Sequence, residues 1–261
     1  MLRFKNLGSG SAGNATLVEA QDGLQVTRLL IDCGLRVTEL RRRLQAVDVA
    51  LEDLDGLFVT HEHSDHIGHA RRWAQETGRP VWMSEGTRLA CEADNWNLPD
   101  TQLRVARDGV PIALGALQLH PFTVPHDARE PLQLRCSDGD RSLGILTDLG
   151  HASAHVVQAL QGCHALLLEA NHDPVMLSRS SYPAFLRKRI AGPLGHLSND
   201  DAAALLQAVR HPALSCVVAA HLSERNNAPS LAQAALSTVL GCLPGDVPVA
   251  DPDQGSAWHL A

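Results

Sequence analysis

The chain has 261 residues, 44% of them hydrophobic and 20% charged. That is enough apolar material for one sizeable core, and too mixed a composition for a disordered polymer, a coiled coil or a membrane-spanning bundle. With 22 basic against 29 acidic residues the formal charge is −7, so any nucleic acid must be met by a local basic patch, and nine aromatic side chains are too few for a base-stacking module of the usual kind.

In chain order, Leu2–Leu7 alternates as a strand, Gly8–Asn14 is a turn cluster, and Ala15–Ala20 and Arg28–Gly34 read as extended apolar runs. Val37, Leu40, Leu44 and Val47 recur at helical spacing, which predicts an amphipathic helix. A buried strand over 54–60, a helix over 66–77 and a strand over 79–84 follow. Short strands with Gly and Pro punctuation fill 103–148. Helices are then predicted near 152–161, 183–191, 199–209 and 229–240. They are interleaved with the strands Cys163–Ala170 and Leu214–His221, and Val247–Ala250 and Ser256–Leu260 close the chain. Each half carries strands followed by helices, and no linker-like stretch divides them. The expectation is a single α/β (α+β) domain over 1–261, with two sheets packed face to face and helices outside. None of the six cysteines forms a Cys-x-x-Cys pair. They read as free thiols, mostly buried, in a reducing compartment. Nothing at the N-terminus resembles a secretory leader, so a cytoplasmic protein without membrane contact is expected.

The strongest chemical signal is Thr60-His61-Glu62-His63-Ser64-Asp65-His66, led in by Leu57-Phe58-Val59. Residues two apart in extended chain point to the same side, so His61 and His63 can converge, while Asp65 and His66 fall where the chain turns into a helix and can face a second point. Four imidazole and carboxylate groups in six residues at a strand end suit one or two divalent ions such as Zn or Mn. Taken alone, His126 after Val124-Pro125, Asp148 after Leu143–Thr147, and His221 after Cys216–Ala220 could be structural groups at strand ends.

The run THEHSDHIGH resembles the signature of the metallo-β-lactamase fold superfamily, and His126, Asp148 and His221 stand in that superfamily's order. The resemblance spans the whole chain and implies a four-layer αββα sandwich. It also implies two divalent metal ions: His61, His63 and His126 hold one, Asp65, His66 and His221 the other, and Asp148 bridges them, with a metal-bridging hydroxide as nucleophile. Gly195-His196-Leu197-Ser198-Asn199 and His221-Leu222-Ser223-Glu224-Arg225 resemble segments of the tRNA 3′-processing endonucleases, which implies that His196 protonates the leaving oxygen. A structural reading competes at Ser198, whose spacing to Asp201 is that of a helix cap.

Only 21 residues separate His126 from Asp148, and 72 separate Asp148 from His221. This leaves no room for a tRNA-gripping arm or for a large inserted cap domain. What remains resembles the YycJ/WalJ-type bacterial metallohydrolases through Ser9–Asn14, Glu169-x-Asn171-His172-Asp173, Gly195–Asn199 and Ala220–Ser223 with Asn226-Asn227. That group implies a phosphodiesterase that trims nucleic acid, DNA rather than RNA, with His196 and Asp65 catalytic. The alternatives are an RNA-processing nuclease or a small-molecule thioesterase or lactonase of the same fold. Candidate substrate-binding residues are Ser9, Ser11, Asn14, Ser198 and Ser223. Asp32 is a candidate for orienting a ligand histidine or for capping a turn. Glu169 and His172 are read as structural more readily than functional. Arg71-Arg72 and Arg187-Lys188-Arg189 could rim the cleft, and Arg41-Arg42-Arg43 reads as a solvated helix face.

Overall fold

A computed structural model describes residues 1–99 and 101–261. The first sheet contains β1 (Leu2–Gly8), β2 (Ala15–Asp22), β3 (Gln25–Ile31), β4 (Gly56–Phe58), β5 (Val81–Met83) and β6 (Leu103–Val105). The second contains β7 (Ile112–Leu114), β8 (Leu117–Thr123), β9 (Leu132–Ser137), β10 (Ser142–Leu146), β11 (Ala165–Glu169) and β12 (Cys216–Ala220), and β13 (His259–Leu260) returns to pair with β1. The strand orders are β13-β1-β2-β3-β4-β5-β6 and β12-β11-β10-β9-β8-β7. Each sheet begins as antiparallel hairpins and turns parallel where helices carry the chain back, at β3–β6 and at β10–β12.

The helices are α1 (Val37–Gln45), α2 (Ser64–Ile67), α3 (Ala70–Thr77), α4 (Glu85–Ala93), α5 (Ala154–Leu160), α6 (Pro174–Ser178), α7 (Ala184–Ile190), α8 (Asn199–Val209) and α9 (Pro229–Leu240). Successive residues of the central strands point to opposite layers, which is why those strands read as continuous apolar runs. Leu29, Ile31, Leu167 and Val218 meet between the sheets. Leu30, Leu57 and Val81 pack outward against Leu40 and Leu44 of α1 and Trp73 of α3. Leu166, Leu168 and Val217 pack outward against Val156 of α5, Leu205 of α8 and Leu236 of α9. The result is the expected αββα sandwich.

Several local expectations need correction. The helix predicted over 66–77 is two pieces, α2 and α3, because His69, at φ −119° and ψ 5°, leaves the helical region between them. α4 and α6 were not predicted. Both are short helices started by side-chain caps, Ser84 accepting from the Thr87 N–H and Asp173 from the Met176 N–H. Val247–Ala250 is not a strand but a single bridge, Ala219 to Val249. Arg43 is not solvated: its guanidinium donates to the carbonyls of Leu7 (2.6 Å) and Pro252 (2.9 Å). All six thiols are free; Cys33, Cys91, Cys136 and Cys163 are buried and Cys242 is exposed. Among the described residues no helix is long and apolar enough to cross a membrane.

Candidate metal centre

The carboxyl ends of β3, β4, β10, β11 and β12 open on one edge of the sandwich. Asp32, Asp148 and His221 follow three of these strands, and all three hold φ near +55 to +60°. Non-glycine residues rarely adopt this left-handed conformation, which costs on the order of 1–3 kcal/mol each and persists where the surroundings impose it. Here it turns Asp148 and His221 from their strand ends into a common cleft and aims Asp32 at His66 behind it.

His61, His63 and His126 converge as the first group. His63 Nδ1 lies 3.1 Å from His61 Nε2 and 3.3 Å from His126 Nε2. Donor atoms at about 2.0–2.1 Å from a tetrahedral Zn stand about 3.3 Å from one another, so these spacings fit three ligands of one ion. Asp65, His66 and His221 converge as the second group, with Asp65 Oδ2 3.4 Å from His66 Nε2 and 3.6 Å from His221 Nε2. Asp148 lies between the groups: Oδ1 is 3.8 Å from His126 Nε2, and Oδ2 is 2.9 Å from His66 Nε2. Asp148 Oδ2 is buried without a hydrogen bond of acceptable geometry. Orphaned buried polar atoms of this kind are expensive unless an ion satisfies them. The donor set therefore fits divalent metal.

The supporting residues set the tautomers. Asp32 Oδ2 stands 2.7 Å from His66 Nδ1, and Asp32 also accepts the Thr60 N–H (2.8 Å), so it is the orienting carboxylate rather than a turn cap alone. Thr60 Oγ1 lies 3.0 Å from His61 Nδ1, and the Gly195 carbonyl 3.0 Å from His126 Nδ1. Glu169 is fully buried, accepts the Leu149 N–H at 2.7 Å, and stands 2.7 Å from His196 Nδ1. That bond leaves Nε2 as the free nitrogen of His196, a side chain that lines the cleft. The continuous apolar run Ala165–Leu168 hid the role of this carboxylate, which reads as the polar end of a buried strand.

The charges are strongly biased. Burial pushes His61 well below the usual imidazole range, helped by the cationic His66 beside it, and burial also lowers His126. Burial opposes charge on His66 and His221 too, yet Asp148, with Asp32 on His66 and with Asp65 and Glu169 on His221, outweighs it. His66 is held well above its ordinary value and His221 is raised to about 10. Burial likewise resists charge on Glu169, but His196 holds its carboxyl down to about 2.

The candidate substrate residues divide. Ser11 and Ser223 line the cleft, a cavity of about 420 Å³. Ser9, Asn14 and Ser198 are buried behind it. Ser9 Oγ accepts the His221 N–H at 2.7 Å, Asn14 reaches Asp65 Oδ2 at 3.2 Å, and Ser198 caps α8 by accepting the Asp201 N–H at 3.1 Å. Arg189 lines the cleft; Arg71 and Arg72 do not, and Arg72 pairs with Glu76. Asn171 donates to the His221 carbonyl at 2.9 Å, and Asn199 and Asn227 exchange two 2.9 Å amide bonds, so these asparagines fix the backbone around the last ligand.

The profile of the "Beta-lactamase superfamily domain" matches residues 27–221. The exodeoxyribonuclease YycJ of Bacillus anthracis is 34% identical over 92% of this chain and 89% of its own length. The exodeoxyribonuclease WalJ of Streptococcus pneumoniae is 32% identical over 88% and 85%. The metallo-β-lactamase fold protein YhfI of Bacillus subtilis superposes with a TM-score of 0.73 at 16% identity, covering 99% of this chain and 98% of that one. With the profile matched over most of the chain and the donor set assembled at the strand ends, the chain belongs to the beta-lactamase superfamily and is a metal-dependent hydrolase.

Proposed function

We propose that the protein is a phosphodiesterase that removes nucleotides from the ends of DNA. Two divalent ions, Zn or Mn, would be held by His61, His63 and His126 and by Asp65, His66 and His221, with Asp148 available to both. The observation that carries this reading is the His196–Glu169 pair at 2.7 Å beside the metal ligands. The thiolate of a thioester departs readily without a proton. An alkoxide leaving a phosphodiester gains most from an acid held ready, and an imidazole whose proton is stabilised by a buried carboxylate is such an acid. The names of YycJ and WalJ, exodeoxyribonucleases both, support DNA as the polymer.

The chain's own residues divide the work. Asp65 and Asp148 bring negative charge to the ligand cluster, so the cleft can gather cations before it meets a polyanion. Glu169 fixes His196 with Nδ1 bonded and Nε2 free, and Nε2 carries the proton to the departing oxygen. Ser11 and Ser223 offer hydroxyls to the phosphate from the cleft wall. When bound, divalent ions would acidify water toward neutrality and neutralise charge developing at the phosphorus.

The test is digestion of duplex DNA and RNA labelled at either end, with Mn or Zn, against Asp65→Ala as blank. Stepwise loss of nucleotides from one DNA end, absent in the blank, is expected. Identical digests from the wild type and the blank would remove the assignment.

A further inference from the structure

The segment between Asp173 and Asp200 contains no acidic residue and carries Arg179, Arg187, Lys188 and Arg189, although the chain as a whole is at −7. Within it α7 has no buried residue, so core packing does not explain its sequence. Arg187 ties the segment to itself by donating to the carbonyls of Ser178 (3.2 Å) and Ser180 (3.0 Å). Tyr182, Leu186, Arg189 and Ile190 form one wall of the metal cleft.

The aromatic side chains sharpen the pattern. Of the nine in the chain, seven are Phe or Trp rings that are buried or half-buried in the body of the fold. The other two are Tyr182, the only tyrosine, and Phe185, 74% exposed and the only exposed aromatic ring among the described residues. Both stand on this segment, and the Arg225 guanidinium sits 5.9 Å above the Tyr182 ring. One exposed ring and one half-buried ring, beside Lys188 and an Arg189 that is ion-paired with Asp127, match the stacking faces and phosphates of an unpaired nucleic-acid strand. The cleft's volume is that of a small-ligand pocket, so it accepts a nucleotide-sized group and not a closed duplex. The segment is also bonded to the proposed acid: the His196 N–H donates to the Ile190 carbonyl at 2.9 Å. A Cβ on Gly195 would stand 2.2 Å from the carbonyls of Arg189 and Ile190, so only glycine permits that approach.

We propose that residues 179–194 are a strand-holding arm. In this inference, which rests on the phosphodiesterase reading above, Phe185 and Tyr182 stack on the bases of an unpaired terminus and Lys188 and Arg189 hold its phosphates. The arm thereby selects nucleic acid with a single-stranded or fraying end over blunt duplex, and its bond to His196 places the leaving oxygen of the held strand under the imidazole.

The experiment compares wild type, Phe185→Ala, Phe185→Trp and the remote exposed-site control Leu24→Ala with Mn. The substrates are DNA duplexes with and without a short unpaired tail, and bis(p-nitrophenyl) phosphate, which has no bases. Phe185→Ala is expected to raise KM for tailed DNA about tenfold more than KM for the small diester, in line with the loss of one stacked base, and Phe185→Trp is expected to restore it. Binding is read separately in an Asp65→Ala background, where a fluorescent adenine analogue in the tail is quenched on stacking and Phe185→Ala abolishes the quenching. If wild type cleaves both substrates and Phe185→Ala matches Leu24→Ala on tailed DNA, the arm is refuted and the phosphodiesterase reading stands. If wild type cleaves neither, both fall. If sedimentation shows Phe185→Ala dissolving a dimer while quenching persists, the exposed ring belongs to a self-contact and the arm is overturned.

Discussion

The two halves of the candidate centre differ in what stands behind the ligands. His61 and His126 are backed by neutral oxygens, the Thr60 hydroxyl and the Gly195 carbonyl. His66 and His221 are backed by carboxylates, Asp32 at 2.7 Å and Glu169 at 3.4 Å. A neutral acceptor fixes an imidazole's tautomer and adds no charge, whereas a carboxylate also makes the ring a stronger donor. The first half is therefore nitrogen-rich, with neutral support behind His61 and His126 and the half-buried Asp127, 3.8 Å from His63 Nε2, as a nearby carboxylate, a donor set that suits Zn. The second includes Asp65 and two buried carboxylates behind it, and it is the more tolerant of Mn. The chain concentrates buried negative charge on one side of the cleft, while the His196 ring stands between the two, 5.4 Å from the rings of both His126 and His221.

The sharpest way to break this comparison is to remove one imidazole from each side. We expect His126→Ala and His221→Ala each to reduce nuclease activity to background while losing different ions. Metal analysis after reconstitution should find about one ion in each variant where the parent holds about two. Loss of both ions from either variant would make the halves one cooperative site and erase the distinction.

The next largest effect falls on the proton. His196→Ala should lower kcat on DNA by about 10²–10⁴-fold, the usual worth of a positioned general acid. The same change should reduce hydrolysis of a p-nitrophenyl diester far less, since p-nitrophenolate leaves without a proton. Glu169→Gln should follow His196→Ala in this substrate split. Equal losses on both substrates would assign the pair to ion binding. Smaller again is Asp32→Asn, expected to weaken the second ion by about 10–100-fold and leave the first in place, as read by metal titration. Weakening of both would show that Asp32 supports the loop as a whole.

How much of this was legible depends on how the residues are spaced. His61, His63, Asp65 and His66 lie in one six-residue run, so strand and helix geometry alone brings their side chains together. His126, Asp148 and His221 each end a different strand, and nothing in their local sequence separates a ligand from a cap. Their order in a family resemblance marked them, and the positive φ at Asp148 and His221 shows how the fold uses them. Glu169 was undervalued because it closes a strand of leucines and its partner is 27 residues away. Ser198 illustrates the opposite error: its capping spacing was visible, and capping is the role its hydroxyl fills. The layers followed from the apolar runs. α4 escaped because its buried face is Thr87 and Cys91 rather than aliphatic side chains, and α6 because five residues carry too little periodicity to register; only their caps betray them.

Thr60 is where the halves touch, and it offers the smallest expected effect. Its hydroxyl lies 2.9 Å from Asp32 Oδ2 and 3.0 Å from His61 Nδ1, and all three residues are buried. With His61 Nε2 turned to the cleft, Nδ1 carries the proton and donates to Thr60 Oγ1, whose own proton goes to Asp32. The neutral side is thus linked to the charged side through one hydroxyl. Thr60→Val keeps the shape and removes the link, leaving the His61 N–H orphaned and Asp32 short of one donor. Such a loss costs about 1–3 kcal/mol, so the melting temperature should fall by several degrees. Metal affinity of the first site should drop less than in Asp32→Asn, because the imidazole stays packed in place. Thr60→Ser restores the hydroxyl and should recover both readings. If Thr60→Ser fails to recover them, the methyl's packing matters more than the relay, and the two halves are electrostatically independent.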